Sequence, residues 1–414
     1  MADRQLSDWL EYYLQFTQKS EPPTQYHIWS GIAAIASCLR RKCFCNWGLR
    51  GYIYPNFYIC LVGPPGGRKG TAMKIAKGMI QQLELPMGSD ALGSVQMLYK
   101  EIKNSQTEYI SAGENNKSVQ HKSLSIWSEE FQVFLSDQDQ RLLGSLTDLF
   151  DCADKWKYST LSRGLDDLSN CWLNIIGAIT PSLLQSRLSM DAVGGGLISR
   201  IIFIVGYGAS KRVALPFLSP EEEELQVKLQ QDLEHITDMA GAFKLSNEFL
   251  ETWVPWYENL NTSSSIDSEK FMGYNSRRAL HLNKLCMIFS ASESGDMIIK
   301  AEHFKKALAV LEEAEEEMPN AFFGLGRGQH SEVFTSIMRY IEERNDFSLA
   351  EITSSFMLDA LPIDLQQYLN MAETTGKVKK LISPSKEIHY ETIHENKVKK
   401  DKHYLKSTLY KRMG

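Results

Sequence analysis

The sequence predicts an α/β protein built around a phosphate-binding loop. Three observations carry that expectation. An apolar run, Asn56 to Val62, passes through Gly63-Pro64-Pro65-Gly66-Gly67-Arg68-Lys69-Gly70-Thr71 into a segment, Ala72 to Ile80, with apolar residues at helical spacing. Three later runs, Leu124 to Trp127, Leu173 to Ile179 and Ile201 to Val205, have the length and composition of buried strands. Helical patterns separate them, as an α/β core requires.

A strand, a glycine-rich loop and then a helix are what a phosphate cradle needs. Small residues let successive backbone N–H groups turn toward an anion, and the helix aims its positive end at the same point. Lys69 supplies a mobile charge for β- and γ-phosphates. The pattern G-x-x-x-x-G-K-[ST] is met with departures. Arg68 stands where the last glycine belongs, Gly70 stands where the hydroxyl belongs, and Thr71 follows one residue late. Either Thr71 reaches a Mg²⁺, or the metal is held elsewhere and hydrolysis is weak. The plainer alternative is a Gly/Pro turn leaving a core strand.

Size and composition bound the rest. With 414 residues, two or three domains are expected. Charged residues make up 23% and the net charge is −6, which argues against uniform coating of nucleic acid but leaves room for a local basic surface. The seven cysteines are scattered, mostly in apolar runs, and read as reduced core residues; Cys43-x-Cys45 lacks the partners of a zinc site. No signal peptide opens the chain and no apolar stretch reaches membrane length, so a soluble, cytoplasmic protein without a membrane partner is expected.

In chain order, Leu6 to Phe16 is expected to be helical. Pro22-Pro23 breaks it, and Thr24 is placed to cap the next helix, Gln25 to Leu39, whose Trp29, Ile32, Ile35 and Leu39 share a face. Arg40-Arg41-Lys42 reads as a solvated helix end, and Cys43 to Tyr54 as a hairpin. Leu92 to Ile102 is a helix. Asn104 to Ser123 is a loop or hairpin projecting from the core: in ring-shaped motors such insertions often face the pore, and a disordered surface loop is the alternative.

Leu124 to Trp127 leads through Ser128 to Glu129-Glu130. In P-loop ATPases the strand beside the phosphate strand ends in an acidic pair, the first acid serving Mg²⁺ and the second the attacking water. Glu129 fits the first role and Glu130 the second, with Glu129 replacing the usual Asp. Leu142 to Phe150 is a helix. The run Leu173 to Ile179 ends at Thr180-Pro181, where Thr180 can sense a γ-phosphate or simply start a turn. Gly194-Gly195-Gly196 leads to Arg200 at the entrance of the fourth strand. Arg200 is placed either to stabilise phosphoryl charge, in its own or a neighbour's site, or to pair with a local carboxylate.

Helices are expected from Glu221, over Phe249 to Leu260, over Arg277 to Ala291 and over Ala301 to Met318; the third carries Arg277, Arg278 and Lys284, cations for a lid or a solvated face. Phe322 to Gly328 reads as a linker. Beyond it, helices over Glu332 to Arg344, Leu349 to Phe356 and Asp364 to Thr375 precede a hairpin of Val378 to Ile382 and Ile388 to Glu391. That order is a winged helix, which grips DNA or another protein. The tail from Asn396 to Gly414 concentrates Lys and Arg, with Tyr404 and Tyr410, and is either a phosphate-backbone contact or merely solvated.

With these residues laid out, the chain resembles a family of phage and prophage P-loop ATPases related to primase-associated replicative helicases. The resemblance rests on His27-Ile28-Trp29-Ser30-Gly31, Tyr54 to Tyr58, the loop Gly63 to Thr71 with its R-K-G-T ending, Glu129-Glu130, the Gly177 to Pro181 turn, Gly195 to Arg200, and Tyr274, Arg277, Arg278, Leu282 and Lys284. It spans residues 5 to 325. It implies a P-loop NTPase core, RecA/AAA+-like, at 51–215. Around that core are expected an N-terminal helical region at 1–50, a helical lid region at 216–325, a winged-helix-like domain at 331–395 and a basic tail at 396–414.

The function expected is that of an ATP-dependent motor on single-stranded or forked DNA, a helicase forming a homo-oligomeric, hexameric ring in phage or mobile-element replication. Priming would fall to a separate primase or polymerase. Gly63 through Thr71 would bind ATP, Thr71 and Glu129 Mg²⁺, Glu130 would orient water, Thr180 would sense phosphate, and Arg200 would act across a subunit interface. The rivals are an ATP-binding helicase loader or switch and a non-hydrolysing DNA-binding scaffold.

Overall fold

The computed structural model describes residues 4–90, 94–110, 118–135, 140–160, 164–187, 196–260, 266 and 271–322, and, further on, 336–338, 340–341, 344, 346–356, 362–374, 376, 378–382 and 388–392. The chain divides into two units, Met1–Phe322 and Phe323–Gly414. Residues 1–322, which the sequence divides into N-terminal, core and lid regions, form one compact unit without a break at 50 or 215.

The first unit opens with helix α1, Trp9–Phe16, capped by the Asp8 carboxylate on the Leu10 and Glu11 N–H groups. Helix α2, Thr24–Leu39, follows, and here Pro23 takes the cap position, leaving Thr24 as the first helical residue. Every residue of α2 from Tyr26 to Leu39 is buried. The face predicted from Trp29, Ile32, Ile35 and Leu39 is therefore one side of a helix with no wet side, which its small residues permit. Gly31 is one reason: a Cβ there would stand 2.6 Å from Leu10 Cδ1 of α1.

Strands β1, Cys43–Asn46, and β2, Tyr52–Ile53, form the expected hairpin. Strand β3, Tyr58–Val62, is buried throughout and leads to helix α3, Lys69–Gln81. Helix α4, Val95–Asn104, precedes β4, Gln106–Ile110, and β5, Ser118–Ser128, which pair antiparallel. The polar insertion is thus a hairpin, with its tip, 111–117, outside the described residues. Helix α5, Gln140–Phe150, is followed by β6, Lys155–Thr160, and β7, Gly164–Ser169, a hairpin that the residue pattern did not disclose. Strand β8, Cys171–Ile179, runs into helix α6, Pro181–Arg187. Strand β9, Ile201–Val205, closes the main sheet, whose order is β4-β5-β8-β3-β9. Strands β5, β8, β3 and β9 are parallel.

The remainder of the unit packs on α1, α2 and β9. The Pro220–Asp238 helix starts with a capping box between Ser219 and Glu222. Strands β10, Gly241–Leu245, and β11, Ile298–Ile299, extend β1 and β2 into a second sheet, order β11-β10-β1-β2. The Arg278–Glu293 helix is buried from His281 to Ser292. It packs on the Ala301–Ala321 helix and on α2, and of the cations expected on a lid or a solvated face Arg278 and Lys284 are buried. The basic triplet is corrected. Arg41 and Lys42 are 5% and 4% exposed, because Arg41 donates to the carbonyls of Cys152 and Cys171 and pairs with Asp154, while Lys42 donates to the Thr237 carbonyl. The seven cysteines are buried thiols outside any disulfide.

In the second unit, β12, Asp346–Ser348, joins β13, Val378–Ile382, and β14, Ile388–Thr392, in an antiparallel sheet of order β12-β14-β13. The helices Leu349–Phe356 and Pro362–Thr374 lie between β12 and β13 in the chain. Ile337, Ile341, Phe347, Ile352, Leu365, Leu369 and Tyr390 form a core of their own. The tail from Asn396 to Gly414 lies outside the described residues. Among the described residues no helix is long and apolar enough to cross a membrane.

Candidate functional site

Because β5, β8, β3 and β9 are parallel, their C-terminal ends share one edge of the sheet, where open α/β sheets bind ligands. Four connections meet there: the loop after β3, Glu129 and Glu130 after β5, Thr180 after β8 and Gly206 after β9.

The loop is tied down from both sides. Gly63 N–H donates to the Ile179 carbonyl at 3.2 Å and Gly206 N–H to the Val62 carbonyl at 2.9 Å. The Tyr26 hydroxyl, from α2, donates to the Val62 and Gly206 carbonyls at 2.7 and 3.2 Å. That contact explains Gly63, where a Cβ would stand 2.3 Å from the Tyr26 oxygen. Gly66 has φ +72 and Arg68 φ +62. Arg68 thus holds a left-handed conformation that costs a side-chain residue about 1 kcal/mol or more, and its guanidinium pairs with Glu21 at 2.7 Å. Helix α3 begins at Lys69. The Lys69 ammonium folds back on the loop, donating to the Gly63 and Pro64 carbonyls at 2.6 and 2.8 Å. Burial lowers its pKa below the ordinary lysine value.

The acidic pair approaches by an unexpected route. The expectation of neighbouring strands is corrected: β8 lies between β3 and β5. Two strand spacings, roughly 9–10 Å, then separate the acid strand from the phosphate strand. Glu129 still reaches α3, since a Cβ on Gly70 would stand 3.0 Å from its Oε2. Lys74, one turn on from Gly70, pairs with Glu129 Oε1 at 3.1 Å. Thr71 is exposed and one residue round the helix; Gly70, not Thr71, is the residue set against Glu129. Glu130 is exposed, with its N–H on Ser128 Oγ at 3.2 Å. Thr180 stands between loop and acids, at the end of the intervening strand, where its Oγ1 accepts from the Leu183 N–H at 3.4 Å at the start of α6.

Arg200 is not brought to this edge. It precedes β9, five residues from the strand's C-terminal end, so it sits at the opposite edge. Its guanidinium is 8% exposed, pairs with Asp151 at 2.7 Å and donates to the Gly196 carbonyl at 2.7 Å. In the single chain this buried, paired group matches the local-carboxylate alternative. Arg278 and Lys284 are likewise internal, on Glu315 and Asn56. Two residues of the edge were not read from the sequence. Lys74 carried a signal, the helical i, i+4 step from Gly70; Tyr26 carried none, because its contacts are made 36 and 180 residues away.

A Mg²⁺ at Glu129 would have one protein carboxylate, with Gly70 rather than a hydroxyl residue set against it. That suits an ion that keeps most of its waters and takes further oxygens from phosphates. No protein-family model matches the chain, and no curated protein matches it.

Proposed function

We propose that the protein is an ATP-dependent nucleic-acid motor with a P-loop NTPase core, of the kind that works as a ring-forming, hexameric DNA helicase. One observation carries the reading: the glycine-rich loop, the N-terminus of α3, Lys69, Glu129, Glu130 and Thr180 converge on the C-terminal edge of the four parallel strands. In this reading the backbone of Gly63 to Gly70 cradles the phosphates of ATP, and Lys69 leaves the Gly63 and Pro64 carbonyls to meet them. Glu129 would hold Mg²⁺, which would supply charge neutralisation for the phosphates. Glu130 orients the attacking water, and Thr180 senses the γ-phosphate. The helix pair and three-stranded sheet of the second unit support a winged-helix-like domain that would grip forked or single-stranded DNA.

The test is ATP turnover by the full chain with and without single-stranded DNA. Lys69→Ala is expected to abolish turnover with an unchanged far-UV spectrum. Undiminished turnover in that variant overturns the proposal.

A second reading, an ATP-binding loader or switch, is supported by the two resting contacts at the edge. Lys69 is engaged by carbonyls and Glu129 by Lys74, and both must be released before a nucleotide seats. A strand-displacement assay separates the two: unwinding supports the helicase, and ATP binding without unwinding supports the switch.

A further inference from the structure

Between β9 and the Pro220–Asp238 helix the chain runs from Gly206 to Ser219 without helix or strand. It is held at both ends by residues ahead of α2. The Ser210 N–H donates to the Glu21 carbonyl at 3.0 Å and the Val213 N–H to Glu21 Oε1 at 3.2 Å. At the far end Glu222 closes the capping box with Ser219 and pairs with Lys19 at 2.8 Å. Between these anchors stands Leu215-Pro216-Phe217-Leu218. All four residues are exposed, Phe217 to 74% and Leu215 to 70%. A large apolar side chain left in water forgoes about 1.5–3 kcal/mol, and an unbroken run of them on a surface marks a contact site.

The flanks identify what covers it. Lys211 and Arg212, six and five residues before Phe217, are exposed and have no ion pair among the described residues. Glu221 and Glu223, four and six residues after Phe217, are also exposed and have none among the described residues. Their neighbours Glu222 and Glu224 are engaged by Lys19 and Lys228. A nucleic acid would be repelled by the free glutamates, and a protein face of one sign would meet its own charge at one flank. A second copy of this chain meets neither difficulty. Turned about a two-fold axis near Phe217, it lays apolar surface on apolar surface and sets each cationic flank on the other copy's acidic flank. That is the self-complementarity an isologous contact requires.

We propose that residues 211–223 form a two-fold contact between copies of the chain, with Leu215, Phe217 and Leu218 at its centre and Lys211 and Arg212 opposite the second copy's Glu221 and Glu223. Exposed ion pairs contribute little affinity and chiefly fix orientation, so the apolar centre holds the pair together. An isologous contact closes at two copies and differs from the head-to-tail contact of a ring, so the proposal does not rest on the motor reading.

The test is sedimentation of the full chain, without nucleotide, at about 1–100 µM, the range of micromolar affinities. The unaltered chain is expected to pass from monomer to dimer. Three variants are each expected to weaken the dimer about tenfold or more: Phe217→Ser, Lys211→Glu with Arg212→Glu, and Glu221→Lys with Glu223→Lys. The altered positions are all exposed, and unchanged far-UV spectra check that the variants fold. One charge-reversed chain has two acidic flanks and the other two basic flanks. Mixing them is expected to restore a dimer at least as tight as the original. Three results overturn the proposal: a chain that stays monomeric over the whole range, which leaves the run to a different partner; association unaffected by Phe217→Ser; or charge-reversed chains that do not pair when mixed.

Discussion

The Cα of Gly70 lies against the carboxylate of Glu129, so closely that a Cβ would stand 3.0 Å from Oε2 and 3.2 Å from Cδ. Two departures from the usual phosphate-loop pattern are thereby one adjustment. A side chain is missing on the helix where a longer carboxylate comes in from a strand two places away. Gly70→Ser puts atoms where the Glu129 carboxylate rests; Glu129→Asp withdraws it by one methylene. We expect Gly70→Ser alone to lower ATP turnover about tenfold or more, and Gly70→Ser with Glu129→Asp to recover much of it, a coupling of about 1–3 kcal/mol in a double-mutant cycle. Additive losses would mean that the two residues act independently.

Arg200 separates a structural arginine from a catalytic one. Its pairing with Asp151, itself half exposed, and with the Gly196 carbonyl predicts that Arg200→Ala loses about 1–2 kcal/mol of stability, reduced from the buried-pair range by solvent screening at Asp151. Turnover per folded molecule should be unchanged. Denaturant midpoints and turnover measured on one preparation check this. Unchanged stability with lost turnover, relieved by mixing with Lys69→Ala subunits, would restore the trans-acting role.

What the chain discloses by itself is local. The passage from β3 through the loop to α3 and the bounds of β9 depend on neighbouring residues, and periodicity exposes them. The side of the sheet on which Arg200 falls was legible too, since a residue before a parallel strand cannot share an edge with a loop after one. Pairing order was not: β8 comes between β3 and β5 through contacts more than forty residues apart. Arg41 and Lys42 look solvated because their acceptors, the carbonyls of Cys152, Cys171 and Thr237, leave no mark on nearby sequence.

Arg278 and Glu315 form an ion pair between two helices, 3% and 1% exposed, at 2.8 Å, with the Tyr274 hydroxyl also donating to Glu315 at 3.1 Å. Glu315→Gln leaves the buried Arg278 with only the half-exposed Glu312, at 3.3 Å, as a counter-charge, so it should cost toward the low end of about 3–5 kcal/mol. Replacing both, as Arg278→Met with Glu315→Leu, should cost far less, because no charge is stranded. Equilibrium denaturation of the single and double variants checks the ordering; a double variant less stable than Glu315→Gln would show that the pair contributes more than mutual neutralisation.

The acid limb of stability should run through Glu293. Burial alone would raise its pKa, but hydrogen bonds from His303 at 3.1 Å and Lys306 at 2.6 Å, with their charge, outweigh it and bring the pKa from the ordinary 4.5 down to about 2. Lys306 also pairs with Asp8 at 2.8 Å, the cap of α1, so Glu293 sits in a network joining the N-terminal helix to the Ala301–Ala321 helix. A carboxylate whose pKa is lower folded than unfolded binds fewer protons in the folded state. Its stabilisation is complete above about pH 4.5 and is lost as pH falls toward about 2. The amount is on the order of 2–3 kcal/mol. Urea midpoints from neutral pH down to about pH 3 should fall for the unaltered chain. In Glu293→Gln the curve should start lower and fall less steeply, since the group that takes up the proton is gone. Parallel curves for the two proteins would remove Glu293 from the account and point to other carboxylates as the source of acid sensitivity.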